Sequence, residues 1–168
     1  MATGDFNRDG KLDLAVSAGA SGLGTASVLL GNGDGTFQSH VDYEVGPNPT
    51  FIEVADFNGD GKLDFAVDNQ NCVGSPCQFG SISILLGRGD GTFQPHTYYC
   101  TGSTPSFTIA DFNGDNRLDL AIAHQTCIPF SPCGAGAVSV LLGNGDGTFP
   151  RQVDNAISVA PMSCPIAA

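Results

Sequence analysis

An all-β protein built from three repeated, four-stranded antiparallel units is what this sequence predicts, and three observations carry the prediction. A nine-residue acidic loop occurs three times, as Asp5-Phe6-Asn7-Arg8-Asp9-Gly10-Lys11-Leu12-Asp13, Asp56-Phe57-Asn58-Gly59-Asp60-Gly61-Lys62-Leu63-Asp64 and Asp111-Phe112-Asn113-Gly114-Asp115-Asn116-Arg117-Leu118-Asp119. A second motif, Leu-Leu-Gly-x-Gly-Asp-Gly-Thr-Phe, also returns three times and places Asp34, Asp90 and Asp146 at steps of 56 residues. Finally, 23 Gly and 10 Pro, only 14% charged residues and no window with apolar residues at helical spacing favour strands and tight turns. Self-similarity at this period marks one supersecondary unit stacked on its neighbours.

The middle unit, 49–104, shows every element. Thr50 to Ala55 reads as a first short strand that enters the acidic loop at Asp56. Leu63 to Val67 leaves the loop as a second strand, with Leu63, Phe65 and Val67 on one face by the period of two. A connection rich in Gly, Pro and Cys leads to a third strand, Ser81 to Leu86, whose mostly apolar run suits a strand covered on both faces. Gly87 to Gly91 turns the chain, Asp-Gly supplying the positive φ of a tight hairpin, and Thr92 to Tyr99 is the fourth strand. The first unit, 1–48, has a shorter Gly-rich connection and is expected to lack its first strand; the third is 105–164.

Four antiparallel strands per unit is the arrangement of a propeller blade, and closed propellers use about four to eight blades. Three blades leave open edges, so the incomplete ring is expected to be completed by further blades or by neighbouring protomers associating head to tail, into a ring or a filament. Residues 165–168 resemble the approach to Asp111 and read as the start of a strand that completes a neighbouring blade.

The acidic loops carry the chemistry. Calcium takes six to eight oxygen ligands, and side chains at alternate loop positions can face one centre. The expected side-chain ligands are Asp5, Asn7, Asp9 and Asp13, then Asp56, Asn58, Asp60 and Asp64, then Asp111, Asn113, Asp115 and Asp119; Lys11, Lys62 and Arg117 contribute backbone carbonyls. Gly61 makes the bend, and Asn116 replaces that glycine in the third copy because Asn visits the left-handed region. The pattern overlaps the start of an EF-hand loop, but position twelve holds Val16, Val67 or Ile122 in place of a bidentate Glu, and no helical pattern flanks it. About three calcium ions are expected, one per loop.

The net charge of −11 argues against nucleic acid, since only six Lys or Arg are present. Twelve of the 17 acids sit inside the repeated motifs, so the acidity reads as ligand supply. No apolar run approaches the roughly 20 residues of a membrane span. Six cysteines point to an oxidising, extracellular setting, with any signal removed or carried on a longer precursor. Cys72 with Cys77 and Cys127 with Cys133 fall at matching places and read as two disulfide-tied loops; the competing zinc site needs four thiolates converging from separate loops. Cys100 and Cys164 have no obvious partner except each other.

No catalytic constellation appears. There is no Gly-x-Ser-x-Gly elbow, the Gly-Asp-Gly-Thr-Phe turns lack the Lys-Ser/Thr and helix of a phosphate loop, and His40 and His96 occupy equivalent repeat positions. Arg88-Gly89-Asp90 does the same turn-forming job as its Asn-bearing sisters.

Asp-Phe-Asn-Gly-Asp-Gly-Lys-Leu-Asp followed by Leu-Leu-Gly-Asn-Gly-Asp-Gly-Thr-Phe resembles the signature of the FG-GAP/VCBS repeat family, which builds the integrin α-subunit head and many bacterial surface proteins. The resemblance covers nearly the whole chain. It implies a calcium-binding β-propeller, typically seven-bladed, and roles in cell adhesion, recognition or scaffolding. The expected function is therefore a non-enzymatic, calcium-stabilised extracellular structural or adhesive module that self-associates head to tail, with a glycan or a cell-surface protein as a further partner. The alternatives are a carbohydrate-binding propeller lectin and an accessory domain of a secreted polysaccharide-active enzyme.

Overall fold

The computed structural model describes residues 1–19, 24–70, 80–125 and 136–156, and every regular element among them is a β-strand. The first sheet contains β1 (Ala2–Gly4), β2 (Asp13–Ala18), β3 (Gly24–Leu29) and β4 (Val41–Val45). The second contains β5 (Pro49–Ala55), β6 (Asp64–Gln70), β7 (Gly80–Leu85) and β8 (Thr97–Thr101), and the third β9 (Ser103–Ala110), β10 (Asp119–Gln125), β11 (Gly136–Leu142) and β12 (Arg151–Ala156). In each sheet the strands lie side by side in chain order, all antiparallel.

Three boundaries differ from the sequence reading. The first unit does possess a first strand, because Ala2–Gly4 pairs with β2 in the register Ala2 to Ala15 and Gly4 to Asp13. Three residues are too few for a period of two to be seen. The first strand of the third sheet starts at Ser103, ahead of Pro105, which has no N–H to donate and falls within the register shift of β9 against β10, where an edge strand tolerates it. In the second sheet Phe93 makes an isolated bridge to Gly87, and β8 starts only at Thr97. Pro95 interrupts the donor pattern between them.

Cys72, Cys77, Cys127, Cys133, Cys164 and residues 165–168 lie outside the described residues. Cys100, on β8, is disulfide-bonded. Among the described residues no helix is long and apolar enough to cross a membrane.

The core lies between the sheets. Phe6, Ala15, Ala26, Val28 and Val45 of the first sheet pack against Ile52, Phe65, Val67, Leu85 and Phe93 of the second. The opposite face of the second sheet, with Phe57, Ala66, Ile82, Ile84 and Tyr99, meets Phe107, Leu120, Ile122, Leu141 and Phe149 of the third. The middle sheet is thus covered on both sides, and every residue of β7 is buried. In β3 buried and half-buried residues alternate, as they must when only one face has a partner. Aromatic rings recur at each seam: Phe6 meets Phe93 edge-on at 5.9 Å, and Phe57 meets Phe149 edge-on at 5.8 Å.

Within the second sheet, Asp68 stabilises a bulge. The ladder slips between Pro49 and Phe51, and the buried Asp68 carboxylate accepts hydrogen bonds from the Thr50 hydroxyl at 2.9 Å and from the backbone amides of Thr50 and Phe51.

The third-to-fourth strand turns press on the acidic loops. A methyl group on Gly31, Gly87 or Gly143 would stand 2.1, 2.1 or 2.2 Å from the carbonyl oxygen of Leu12, Leu63 or Leu118. That oxygen is backbone and cannot swing away. Gly87→Ala is therefore expected to destabilise the fold by about 2 kcal/mol or more through forced backbone displacement. Urea denaturation measures it; a change below about 0.5 kcal/mol would contradict the tight contact.

Candidate metal centre

Each acidic loop joins the first and second strands of its sheet, and its side chains fold back on its own backbone. In the first loop the Asp9 N–H is shared by Asp5 Oδ1 and Asn7 Oδ1, both at 3.0 Å, while Gly10 N–H donates to Asp5 Oδ2 at 2.9 Å and Lys11 N–H to Asp9 Oδ1 at 2.9 Å. The second loop repeats this: Asp60 N–H lies 3.2 Å from Asp56 Oδ1 and 3.0 Å from Asn58 Oδ1, and Gly61 and Lys62 donate to Asp56 and Asp60 at 2.7 and 2.9 Å. In the third, Asp115 N–H lies 3.2 Å from Asp111 Oδ1 and 2.8 Å from Asn113 Oδ1; Asn116 and Arg117 donate at 2.8 and 2.9 Å. Two acceptor oxygens on one N–H must lie close together, so the side chains at loop positions one and three converge in every copy.

These bonds require left-handed backbone at fixed places. Gly59, Gly61 and Gly114 have φ of 70°, 77° and 79°, and Asn116, in the place of a glycine, has φ 65°. Arg8 also adopts φ 61°, where its sister positions are glycine. A bulky residue there carries strain, and its guanidinium donates to the Gly61 carbonyl of the neighbouring loop.

The last acid of each loop behaves differently. Asp13, Asp64 and Asp119 are buried, and each ties two distant parts of its sheet together. Asp64 Oδ2 accepts from Phe57 N–H at 2.9 Å, inside the loop, and Oδ1 accepts from Gly87 N–H at 2.8 Å, at the turn after β7. Asp13 joins Phe6 and Gly31 at 2.8 Å each, and Asp119 joins Phe112 and Gly143 at 2.9 Å each. Sequence reasoning assigned these acids to the metal and missed their amide partners. An acid opening a buried strand signals that it must find donors, but a partner 18 to 24 residues away in the chain gives no local sign.

Burial pushes the Asp64 carboxyl up to about 6, against its two amide bonds, and the negative charges of Asp56 and Asp60 push the same way. Asp60 is held low, first by the Lys62 ammonium, whose Nζ lies 2.7 Å from Oδ2, and Asp9 first by the Lys11 backbone N–H. The Asn116 amide leads the donors that lower Asp111. Lys11 and Lys62 thus set ammonium groups against the loop carboxylates, at 3.3 and 2.7 Å.

The donor set fits a hard divalent cation. It is all oxygen, carboxylate and amide, pre-oriented by the loop's own N–H groups, and it leaves lone pairs uncommitted on carboxylates that each have about four acceptor sites. Among the described residues no three His, Cys, Asp or Glu side chains form a ready-made metal cluster. The Asn side chains, the backbone carbonyls of Lys11, Lys62 and Arg117 and the half-used carboxylates must therefore complete any cage.

A family model described as FG-GAP-like repeat matches residues 3–67 and 72–122. The chain belongs to the FG-GAP-like repeat family. No curated protein and no solved structure matches it. The stretches that match the FG-GAP-like repeat contain all three acidic loops and their buried terminal acids.

Two substitutions separate the buried tie from the exposed loop oxygens. Asp64→Ala strands the Phe57 and Gly87 amides without an acceptor, at about 1–3 kcal/mol each, and is expected to destabilise the protein even in excess chelator. Asp60→Ala is expected to change the chelated protein by no more than about 0.5 kcal/mol, as surface substitutions do, while reducing any stabilisation by calcium. Urea melts of both variants, with chelator and with calcium, distinguish the two roles; equal losses in chelator would contradict the assignment.

Proposed function

We propose that this FG-GAP-like chain is a calcium-stabilised, non-enzymatic extracellular module whose three sheets act as propeller blades in a structural or adhesive assembly built head to tail. The observation that carries this reading is the threefold repetition of an oxygen-only loop whose donors converge on shared amides. Asp5, Asn7, Asp9 and Asp13, with the Lys11 carbonyl, would hold the first ion. The second falls to Asp56, Asn58, Asp60, Asp64 and the Lys62 carbonyl, and the third to Asp111, Asn113, Asp115, Asp119 and the Arg117 carbonyl. Bound calcium would neutralise carboxylates that now share two ammonium groups and backbone amides.

An extracellular setting agrees with six cysteines in a small chain, one of them the disulfide-bonded Cys100, and with millimolar calcium outside cells, where modular sites bind at about 10⁻⁴–10⁻³ M. Paired disulfides at Cys72–Cys77 and Cys127–Cys133 belong to the same reading. Sheets stacked in chain order through two equivalent apolar seams support blade packing and head-to-tail association.

Calcium at about 100 times its dissociation constant stabilises a protein by about 2.7 kcal/mol per site, which in a chain of this size raises the melting temperature by roughly 5–10 °C. A thermal melt with 10 mM calcium against the same sample in chelator is expected to show at least that rise, with a smaller one in magnesium. Coincident melts would overturn the proposal.

A further inference from the structure

The first acidic loop departs from the second at one residue, and that residue reaches across to the second loop. Arg8 stands where the other copies carry Gly59 and Gly114. The backbone there needs a positive φ, 70° and 79° at the glycines and 61° at Arg8, which glycine adopts freely and a long side chain adopts only under strain. A methyl group on Gly59 or Gly114 would meet nothing within 4 Å, so nothing local calls for a side chain at this place. The Arg8 side chain finds its partner farther off: its Nη2 donates to the Gly61 carbonyl, 53 residues away.

The packing of the first two sheets fixes that reach. Gly91 N–H donates to the Phe6 carbonyl at 3.0 Å, which lays the start of the first loop along the turn of the second sheet. Beside the same turn, Arg8 Nε lies 3.5 Å from the place of a Cβ on Gly89, and Lys62 Cδ lies 2.9 Å from it. Two cationic side chains thus converge on one side of the second loop. Lys62 pairs with Asp60 at 2.7 Å, whereas Arg8 takes part in none of the ion pairs among the described residues. A carbonyl oxygen anchors the guanidinium without cancelling its charge, and a guanidinium is a permanent cation. The residue that anchors it also holds a loop carboxylate, since Gly61 N–H donates to Asp56 Oδ2 at 2.7 Å.

Resting on the calcium reading proposed above, we infer that Arg8 sets the calcium affinity of the second loop: a fixed cation carried by the first loop and anchored on Gly61, it opposes a divalent ion held by Asp56, Asn58, Asp60 and Asp64. The second loop therefore fills at a higher calcium concentration than its own residues dictate. The Gly61 carbonyl is not among the oxygens assigned to the ion, so Arg8 acts through its charge and displaces no ligand. Repulsion between like charges near a protein surface is felt over several ångströms and is screened by salt. The third loop has Gly59 at the corresponding place of the loop before it, and with no side chain there it carries no such charge.

A residue-resolved calcium titration by NMR on the 168-residue chain tests this, following the amides of Asp60 and Asp115, which each lie between two loop oxygens. Arg8→Gln removes the charge and keeps a donor, Arg8→Lys keeps the charge and loses the fork, and Arg8→Gly restores the residue of the sister loops. Gln and Gly are expected to lower the calcium concentration that half-fills the second loop by roughly fivefold, with the third loop unmoved and Lys within about twofold of the wild type. The gain should shrink as added salt shortens the screening length. Spectra in chelator that match the wild type outside the first two loops show that the variants fold. A second loop that fills alike in the wild type and Arg8→Gln, a third loop that tightens equally, or Arg8→Lys behaving as Arg8→Gln would overturn the role of Arg8 and leave the calcium reading standing. Amides of Asp60 and Asp115 that do not shift in any of the four proteins at about 10 mM calcium would overturn both.

Discussion

The structure depends on a buried carboxylate that answers two backbone amides at once. In each sheet the loop between the first two strands and the turn between the last two are separate excursions of the chain, with no strand ladder to hold them together. Asp13, Asp64 and Asp119 join them, each with one oxygen on the loop and one on the turn, at 2.8 or 2.9 Å. A neutral side chain cannot do this, because an amide offers one acceptor and a hydroxyl lacks the span. The glycine after the Leu-Leu pair is obligatory for the same reason: the turn must come against the carbonyl of the residue before the acid, with no room for a methyl group.

The tie also connects the loop to the seam between sheets. The loop amide it holds belongs to Phe6, Phe57 or Phe112, and in the first two copies that ring is buried against the following sheet. The position of the aromatic ring and the closure of the seam are therefore two expressions of one local geometry. Burial, and after it the negative charges of Asp56 and Asp60, raise Asp64, while Lys62 holds Asp60 low.

Much of this was legible in the sequence because it is periodic. The strand-only fold, the alternation of Leu63, Phe65 and Val67, the buried third strand and the left-handed Asn116 all follow from patterns that a few residues carry. What stayed hidden depends on contacts distant in the chain or on elements too short to show a period. Ala2–Gly4 is a strand only because β2 lies beside it. Asp68, outside every motif, serves a bulge that no spacing announces. Asn69 and His124 occupy equivalent places and both reach a serine on the third strand, Ser83 at 2.9 Å and Ser139 at 2.8 Å, yet their chemical difference conceals the shared role. Arg8 holds a glycine-like conformation that its residue type argues against.

The central claim is that the terminal acid of each loop is a structural tie that holds the loop to the turn whether or not a metal is bound. Amide hydrogen exchange in excess chelator tests it most directly. The amides of Phe6, Phe57, Phe112, Gly31, Gly87 and Gly143 lie in loops and turns by position, yet they should exchange as slowly as the central strand amides around them. Exchange as fast as that of the neighbouring exposed loop amides, such as Asp9 and Asp60, would contradict the account.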